Sequence, residues 1–372
     1  MKPDKIAICN DTREFQNNRI FDKVWARKYP GVLWVYFFAQ LARRKGYYLV
    51  TGDIALSHVE AGYWNPKEIL VIQELDSLYG RKLIELGAVP TILTGFESPL
   101  YAYNFYDKLE EIGPRFSHRA LYTGTLKTFK IKKGQNHVLH FPSYNLEDIL
   151  PIKKWGNRRF LVMVAANKFF EKTFLIPPHY PTEYLDWIKD KFLKWQSRIR
   201  TQAVQNELIT KRLGAIEYFG SKNLLDLFGR GWDDLSILPW YWRKRLKNVL
   251  ANLKPKPVED KLKTIASYKF ALCFENVAYD GFITEKMVDC FLAGVIPIYL
   301  GASDVEDFVT KKAFIDMRNF DSWQALGKYL EELNEEKAMR IITAGRKFLQ
   351  SRKGQLFNYK VAANFFAGLI LK

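Results

Sequence analysis

The sequence predicts an α/β protein built from two Rossmann-like, doubly wound halves, and three observations carry that expectation. Short apolar runs of strand length alternate with helix-period segments along most of the chain, the pattern of parallel sheets with crossover helices. The alternation is interrupted at Lys153-Lys-Trp-Gly-Asn-Arg-Arg159, a polar, basic, glycine-containing stretch with linker character. At 372 residues the chain has material for two cores of ordinary size. The expected domains are 1–152, 158–350 and a C-terminal helix over 351–372 packing back across both halves.

In chain order, Lys5–Cys9 reads as a buried strand, and Trp34 onward as a helix closed by Gly46. Tyr47–Thr51 and Ile69–Gln73 are the next strands, followed by a helix around Gly80–Leu86. Thr91–Thr94 is a strand with Gly95-Phe-Glu-Ser-Pro99 at its carboxyl end, and the stretches around His118 and His137–Pro142 read as turns. The second half opens with a strand, Phe160–Ala165, then a Phe- and Pro-rich excursion over 168–182 and a charged helix with breaks over about 183–219. Leu224–Phe228 is a strand; Trp232–Pro257, with Trp240, Tyr241 and Trp242 beside basic residues, reads as an insertion fit for a lid or docking surface. Asp321 or Ser322 caps a helix through Leu333, and helices fill Glu336–Leu371.

The stretch from Tyr268 to Gly301 is the most informative. Tyr268–Phe274 suits a buried strand, Gly281 breaks the following loop, and Thr284 is placed to cap a helix over Glu285–Ala293. Gly294 stops that helix, and Val295–Leu300 is a second buried strand. A helix start at a strand's carboxyl end is where open α/β sheets bind ligands. Its free N–H groups and Lys286 suit an anion, and Glu285 suits sugar or ribose hydroxyls. The same spacing also fits a plain αβ unit with a solvated Glu–Lys pair.

Fifty-seven basic against 40 acidic residues give +17, which favours anionic partners. No single Lys/Arg block dominates, which argues against a dedicated nucleic-acid arm. Cys9, Cys273 and Cys290 lie in apolar runs and read as reduced core residues without metal-ligand spacing. The N-terminus lacks a signal-like apolar stretch, and no run reaches the ~18–20 apolar residues of a membrane span. The expectation is a cytoplasmic protein whose basic surface admits peripheral contact with the inner face of a membrane.

Candidate chemistry gathers at strand ends. Glu97 lies between Gly95 and Pro99, where a carboxylate can take a proton from an incoming hydroxyl; Asp53 and Glu60 are rivals with no better context. Arg212 suits bidentate phosphate contact, although a solvated helix arginine fits the pattern as well. Phe228 and Gly229 suit close approach to a purine, or a tight strand exit. Asn167 and Asn276 stand where amides reach sugar hydroxyls or phosphate. The five histidines show no ligand spacing, with His118 and His140 as minor candidates for acceptor binding.

Tyr268-Lys-Phe-Ala-Leu-Cys-Phe-Glu-Asn276, Gly281-Phe-Ile-Thr-Glu-Lys286 and Ala293-Gly-Val-Ile-Pro-Ile-Tyr-Leu-Gly301 closely resemble the signature of α1,3/4-fucosyltransferases. The likeness continues through Ala313–Asp316 and Phe320–Ser322. Upstream it takes in Arg212–Phe219, Phe228-Gly-Arg-Gly-Trp232 and Gly95-Phe-Glu-Ser-Pro99. The resemblance implies a GT-B fold, two domains facing a cleft, with the first binding the acceptor and the second the donor. It implies GDP-fucose as donor and a glycan as acceptor, with inversion and an α1,3 link to GlcNAc or glucose. Glu97 matches the general base, Arg212 and Lys286 the pyrophosphate contacts, and Glu285 the ribose ligand. Asn276 matches a position beside the fucose, and Asn167, Phe228, Gly229 and Thr284 complete the expected donor site. No metal or other cofactor is required, a divalent ion being at most stimulatory.

Two positions depart from the family pattern. Phe282 stands where a tyrosine is usual, and Ala166 where Val-Ser-Asn carries a serine. The alternative readings are a GT-B transferase using another nucleotide-sugar, or a basic polyanion- or nucleic-acid-binding protein.

Overall fold

The structure is a computed structural model that describes residues 3–29, 31–169 and 197–371. His179, most of the Phe- and Pro-rich excursion and the first part of the charged helix lie outside the described residues. The chain divides into two units. The first comprises Met1–Asn145, Asp280–Glu285 and Gly354–Lys372; the second comprises Leu146–Tyr279 and Lys286–Lys353.

In the first unit, β1 (Lys5–Cys9), α1 (Leu33–Arg44), β2 (Tyr48–Thr51) and α2 (Gly52–Glu60) lead to β3 (Ile69–Glu74). There follow α3 (Leu78–Glu85), β4 (Val89–Thr94), β5 (His118–Leu121) and β6 (Gln135–Val138). The sheet is parallel throughout, in the order β2-β1-β3-β4-β5-β6. The order reverses at β1, so β1 and β3 flank the switch point of a doubly wound sheet. Ile6, Ala7, Val71, Ile72, Ile92 and Leu93 are fully or almost fully buried in it.

Strands β5 and β6 correct the expectation of turns around His118 and His137. Neither His-Arg-Ala-Leu nor Gln-Asn-His-Val has the apolar pattern of a strand, and β6 is mostly exposed. They form because Arg119, fully buried, donates to Asn136 Oδ1 (2.7 Å) and to the Gly113 (2.9 Å), Phe116 (3.2 Å) and Lys133 carbonyls. A buried guanidinium satisfied by several acceptors fixes what hydrophobic patterning leaves open.

The C-terminal helix, Tyr359–Ile370, belongs to the first unit and lies on α1. Its Phe366 stacks on Trp34 at 4.3 Å between centroids, and Tyr359 on Phe37 at 5.3 Å. Asn358 caps it, accepting from the Lys360 and Val361 amides.

The second unit runs β7 (Arg159–Val164), α4 (Ile209–Ser221), β8 (Leu225–Phe228), α5 (Trp240–Leu253) and β9 (Tyr268–Phe274). It continues through α6 (Glu285–Ala293), β10 (Ile296–Leu300), β11 (Ile315–Asp316), α7 (Trp323–Glu332) and α8 (Glu335–Gln350). Its parallel sheet has the order β11-β10-β9-β7-β8, so β7 and β9 flank its switch point. Counted from its own first strand this is 2-1-3-4-5, the order of the first five strands of the other sheet. Ser322 caps α7 by accepting from the Ala325 amide.

Helix α6 has the expected bounds but a different environment. Every residue from Met287 to Ala293 is buried, Asp289 included, rather than one apolar stripe. Lys261 pairs with Asp289 at 2.6 Å, which makes the burial of that carboxylate tolerable. Gly294, at φ 66°, ends the helix in the left-handed conformation. The Trp232–Pro257 insertion is largely helix: Trp242, Leu246 and Leu250 of α5 are buried where it packs along α4. Arg245 is spent on that packing, stacking over Trp242 at 4.3 Å and pairing with Glu217. Among the described residues no helix is long and apolar enough to cross a membrane.

Candidate active site

Glu97 follows β4 in a loop whose backbone is pinned from below. The hydroxyl of fully buried Tyr106 donates to the Glu97 carbonyl (2.7 Å), and that of fully buried Tyr122 to the Phe96 carbonyl (3.0 Å). Ser98, also buried, donates to Glu97 Oε1 from its amide (2.7 Å) and its hydroxyl (3.1 Å). Among the described residues no hydrogen bond engages Oε2, and the side chain is half-buried. A carboxylate with one oxygen fixed and the other open is what a general base requires.

The rival carboxylates are otherwise placed. Asp53 accepts from the Asn17 amide at 2.9 Å, and Glu60 is exposed at the end of α2. His118 Nδ1 lies 3.3 Å from His137 Nε2, so the two rings share one hydrogen bond. Burial pushes His140 down to about 4, leaving it neutral at ordinary pH.

In the second unit the sheet's switch point is built from the ends of β7 and β9. Arg212, expected on a solvated or phosphate-facing part of α4, is almost entirely buried. Its Nε and Nη2 donate to the Phe274 carbonyl, the former at 3.0 Å, and Nη2 also to Asn276 Oδ1 at 2.9 Å. The guanidinium is thereby fixed at the carboxyl end of β9, with Asn276 oriented by it. Trp323 of α7 stacks on Phe274 from the other side, at 6.1 Å and 23°.

Lys286, in the first turn of α6, donates to Glu275 Oε2 at 2.8 Å. The Glu275 side chain is wholly inaccessible and that of Lys286 is 20% exposed, so an interior carboxylate holds the ammonium of a partly exposed side chain. Next to Glu275, burial first and its negative charge second push the Tyr299 hydroxyl well above the ordinary phenol range. Glu275, which holds Lys286 by its ion pair, is a residue that sequence reasoning left without a role. A charged residue directly after a seven-residue buried strand was the available signal.

Asn167 and Gly229 serve local structure. Asn167 Nδ2 donates to the Gly231 (2.9 Å) and Asp234 (3.0 Å) carbonyls, tying the β7 exit to the β8 exit. Gly229 has φ 142°, and a Cβ there would lie 1.9 Å from the Ala165 carbonyl oxygen. The close backbone approach it permits is to β7's own exit strand. Phe228 meets Tyr268 edge-on at 6.5 Å.

Thr284 and Glu285 belong with the first unit, through the segment Asp280–Glu285. The Gly124 amide donates to the Asp280 carbonyl (3.0 Å) and Lys127 pairs with the Asp280 carboxylate (2.7 Å). Phe282 is 2% exposed and meets Tyr122 edge-on at 5.2 Å, so the phenyl ring in place of tyrosine is a core side chain. Thr284 is buried and Glu285 half-buried.

Residues 204–342, which hold Arg212, Asn276, Thr284, Glu285 and Lys286, match the family model for glycosyltransferase family 10 (fucosyltransferase), C-terminal part. This part of the chain is similar to a family 10 fucosyltransferase C-terminal domain. The chain is 40% identical over 72 residues to an α-(1,4)-fucosyltransferase of Arabidopsis thaliana, covering 19% of this chain and 18% of that protein. It is 38% identical over 88 residues to 4-galactosyl-N-acetylglucosaminide 3-α-L-fucosyltransferase 9 of Mus musculus, 23% of this chain and 24% of that one. With the α-(1,3)-fucosyltransferase FucT of Helicobacter pylori it shares 29% over 103 residues, 28% of this chain and 22% of the relative. The matched segments thus span about a fifth to a quarter of these relatives' lengths.

Among solved structures, a sucrose-phosphate synthase from Thermosynechococcus elongatus superposes with a TM-score of 0.50 at 13% identity, covering 85% of this chain and 75% of that one. An α1,3-fucosyltransferase with GDP-fucose gives 0.46 at 17% identity over 100% of this chain and 91% of the other. With two parallel Rossmann-like units of the same strand order, the chain has a GT-B fold.

Proposed function

We propose that this protein is an inverting fucosyltransferase that moves L-fucose from GDP-fucose to a glycan hydroxyl, forming an α1,3 bond to GlcNAc or glucose. The observation that carries the reading is the family 10 match over the segment in which Arg212 and Lys286 present fixed cations at the carboxyl end of one sheet. Such an arrangement suits a pyrophosphate, whose charge grows as the donor bond breaks.

In this reading Glu97 Oε2 takes the proton of the acceptor hydroxyl, and the acceptor oxygen forms a bond to C1 of fucose on the face opposite the leaving group. The bond from C1 to the β-phosphate oxygen breaks, its electron pair leaves with GDP, and the β-linked donor becomes an α-fucoside. Lys286 and Arg212 hold the pyrophosphate and offset the charge on the departing GDP. Asn276, fixed by Arg212, faces the sugar, and Glu285 takes the ribose hydroxyls. Fixed cations of this kind fill the charge-neutralising role that a metal ion fills elsewhere.

Calorimetric titration with GDP and UDP, with and without a chelator, tests the donor assignment. The reading expects GDP to bind at least about tenfold more tightly than UDP and the chelator to leave that affinity in place. Equal affinities would turn the assignment toward another nucleotide-sugar.

A further inference from the structure

A second carboxyl group stands at the switch point of the first unit, on the strand beside Glu97. Glu74 ends β3, and the Phe96 amide donates to its Oε1 at 2.9 Å. Its Oε2 meets the hydroxyl of Thr94, the last residue of β4. That hydroxyl also reaches the Gln73 carbonyl at 3.3 Å. A threonine hydroxyl carries one proton, so it cannot donate to both oxygens at once. A neutral Glu74 completes the set: its carboxyl O–H donates to Thr94, Thr94 donates to Gln73, and Phe96 donates to Glu74.

The surroundings are built to hold this arrangement. Leu75, the next residue, has φ 53°, a conformation a bulky side chain adopts only under constraint. Its amide donates to the Thr94 carbonyl (2.9 Å) and its carbonyl accepts from Gln73 Nε2 (2.8 Å). Gln73 is itself 1% exposed. The charges on surrounding elements are committed elsewhere: Asp11, beyond β1, accepts from Ser77 (2.7 Å) and the Leu78 amide (2.8 Å). Asp76 pairs with Arg81 of α3 (3.3 Å) and with Lys108 (3.4 Å). Burial pushes Glu74 up to about 8, against the Thr94 and Phe96 hydrogen bonds, and the charge of Glu97 adds to the rise. Burial, with the charge of Glu97, therefore favours the neutral form of Glu74.

We propose that Glu74 is a positioning residue for Glu97: kept neutral, it holds the Phe96 amide, and through it the Glu97 backbone, without setting a second negative charge beside the base. The inference rests on the reading of Glu97 as the general base. It follows that transfer declines on the alkaline side when Glu74 ionises, because the hydrogen-bond set around Phe96 is rearranged and Glu97 gains a negative neighbour.

The test is the rate of fucosyl transfer from GDP-fucose by the full chain between about pH 6 and 9.5, for wild type, Glu74→Gln, Glu74→Ala and Glu97→Gln. A glutamine keeps the neutral shape, its amide donating to Thr94 and its carbonyl accepting from Phe96. Glu74→Ala is expected to lower kcat about tenfold with little change in the KM for donor, and Glu74→Gln to recover most of that loss. The wild-type alkaline limb, centred near the value of about 8 for Glu74, is expected to be absent from Glu74→Gln. Glu74→Gln remains decisive if the alanine variant fails to fold. An inactive Glu97→Gln together with an unmoved alkaline limb in Glu74→Gln would overturn the role of Glu74 alone. Full turnover in Glu97→Gln would overturn the base assignment, and the role of Glu74 with it.

Discussion

Lys286 does two things at once, and they can be separated. Its ammonium is held 2.8 Å from a carboxylate with no solvent access, so removing it acts on stability as well as on any bound phosphate. Lys286→Met is expected to weaken GDP binding about tenfold or more by calorimetry. It should also cost about 3 kcal/mol in denaturant unfolding, because a buried carboxylate loses its counter-charge. Adding Glu275→Gln should return most of the stability and none of the affinity. Recovery of GDP binding in the double variant would remove Lys286 from the pyrophosphate site. Glu97 is different: its backbone is fixed by Tyr106 and its Oε1 by Ser98, so Glu97→Gln should keep the loop and lose the chemistry. A drop of about 10²–10⁴-fold in transfer, with GDP affinity unchanged, is expected.

At the scale of elements, the strand exits decide where the site residues stand. Gly229 is the tightest of these, with its φ of 142° and the Ala165 carbonyl in the space of a side chain. Gly229→Ala should lower stability by at least about 2 kcal/mol, read as a fall in the melting midpoint, since neither the backbone nor the carbonyl has room to yield. Most apolar elements were legible: β1, β2, β9, α6 and β10 follow from uninterrupted strand-length runs, caps and glycine stops. What was not legible depends on polar groups whose partners lie far along the chain. Strands β5 and β6 hang on Arg119, whose acceptors are spread from Gly113 to Asn136. The burial of Arg212 was not legible because its acceptors, Phe274 and Asn276, lie more than sixty positions away. Glu74 and Glu275 carried only the weak signal of one charged residue at the end of an apolar strand, and nothing local points to their partners Thr94, Phe96 and Lys286. The placing of Asp280–Glu285 with the first unit is likewise a tertiary fact, carried by Asp280 on Lys127 and Phe282 on Tyr122.

For the whole molecule, two sheets of matching strand order present two switch points, one beside Glu74 and Glu97 and one at Asn276 and Arg212. A ligand that binds the folded chain alone stabilises it by mass action, about 2.7 kcal/mol at a hundred times its Kd. GDP should therefore raise the melting midpoint in proportion to the logarithm of its concentration. With a chain charge of +17, added salt should weaken that effect. The family 10 segment, the fixed cations and the pinned carboxylate all bear on one claim, that this chain transfers fucose from GDP-fucose. The most direct measurement incubates the full chain with GDP-fucose and glycans ending in GlcNAc or glucose, then determines product mass and linkage. The account predicts a single added fucose in α1,3 linkage, formed with release of GDP; no fucosylated product from any of these acceptors, with another nucleotide-sugar consumed instead, would contradict it.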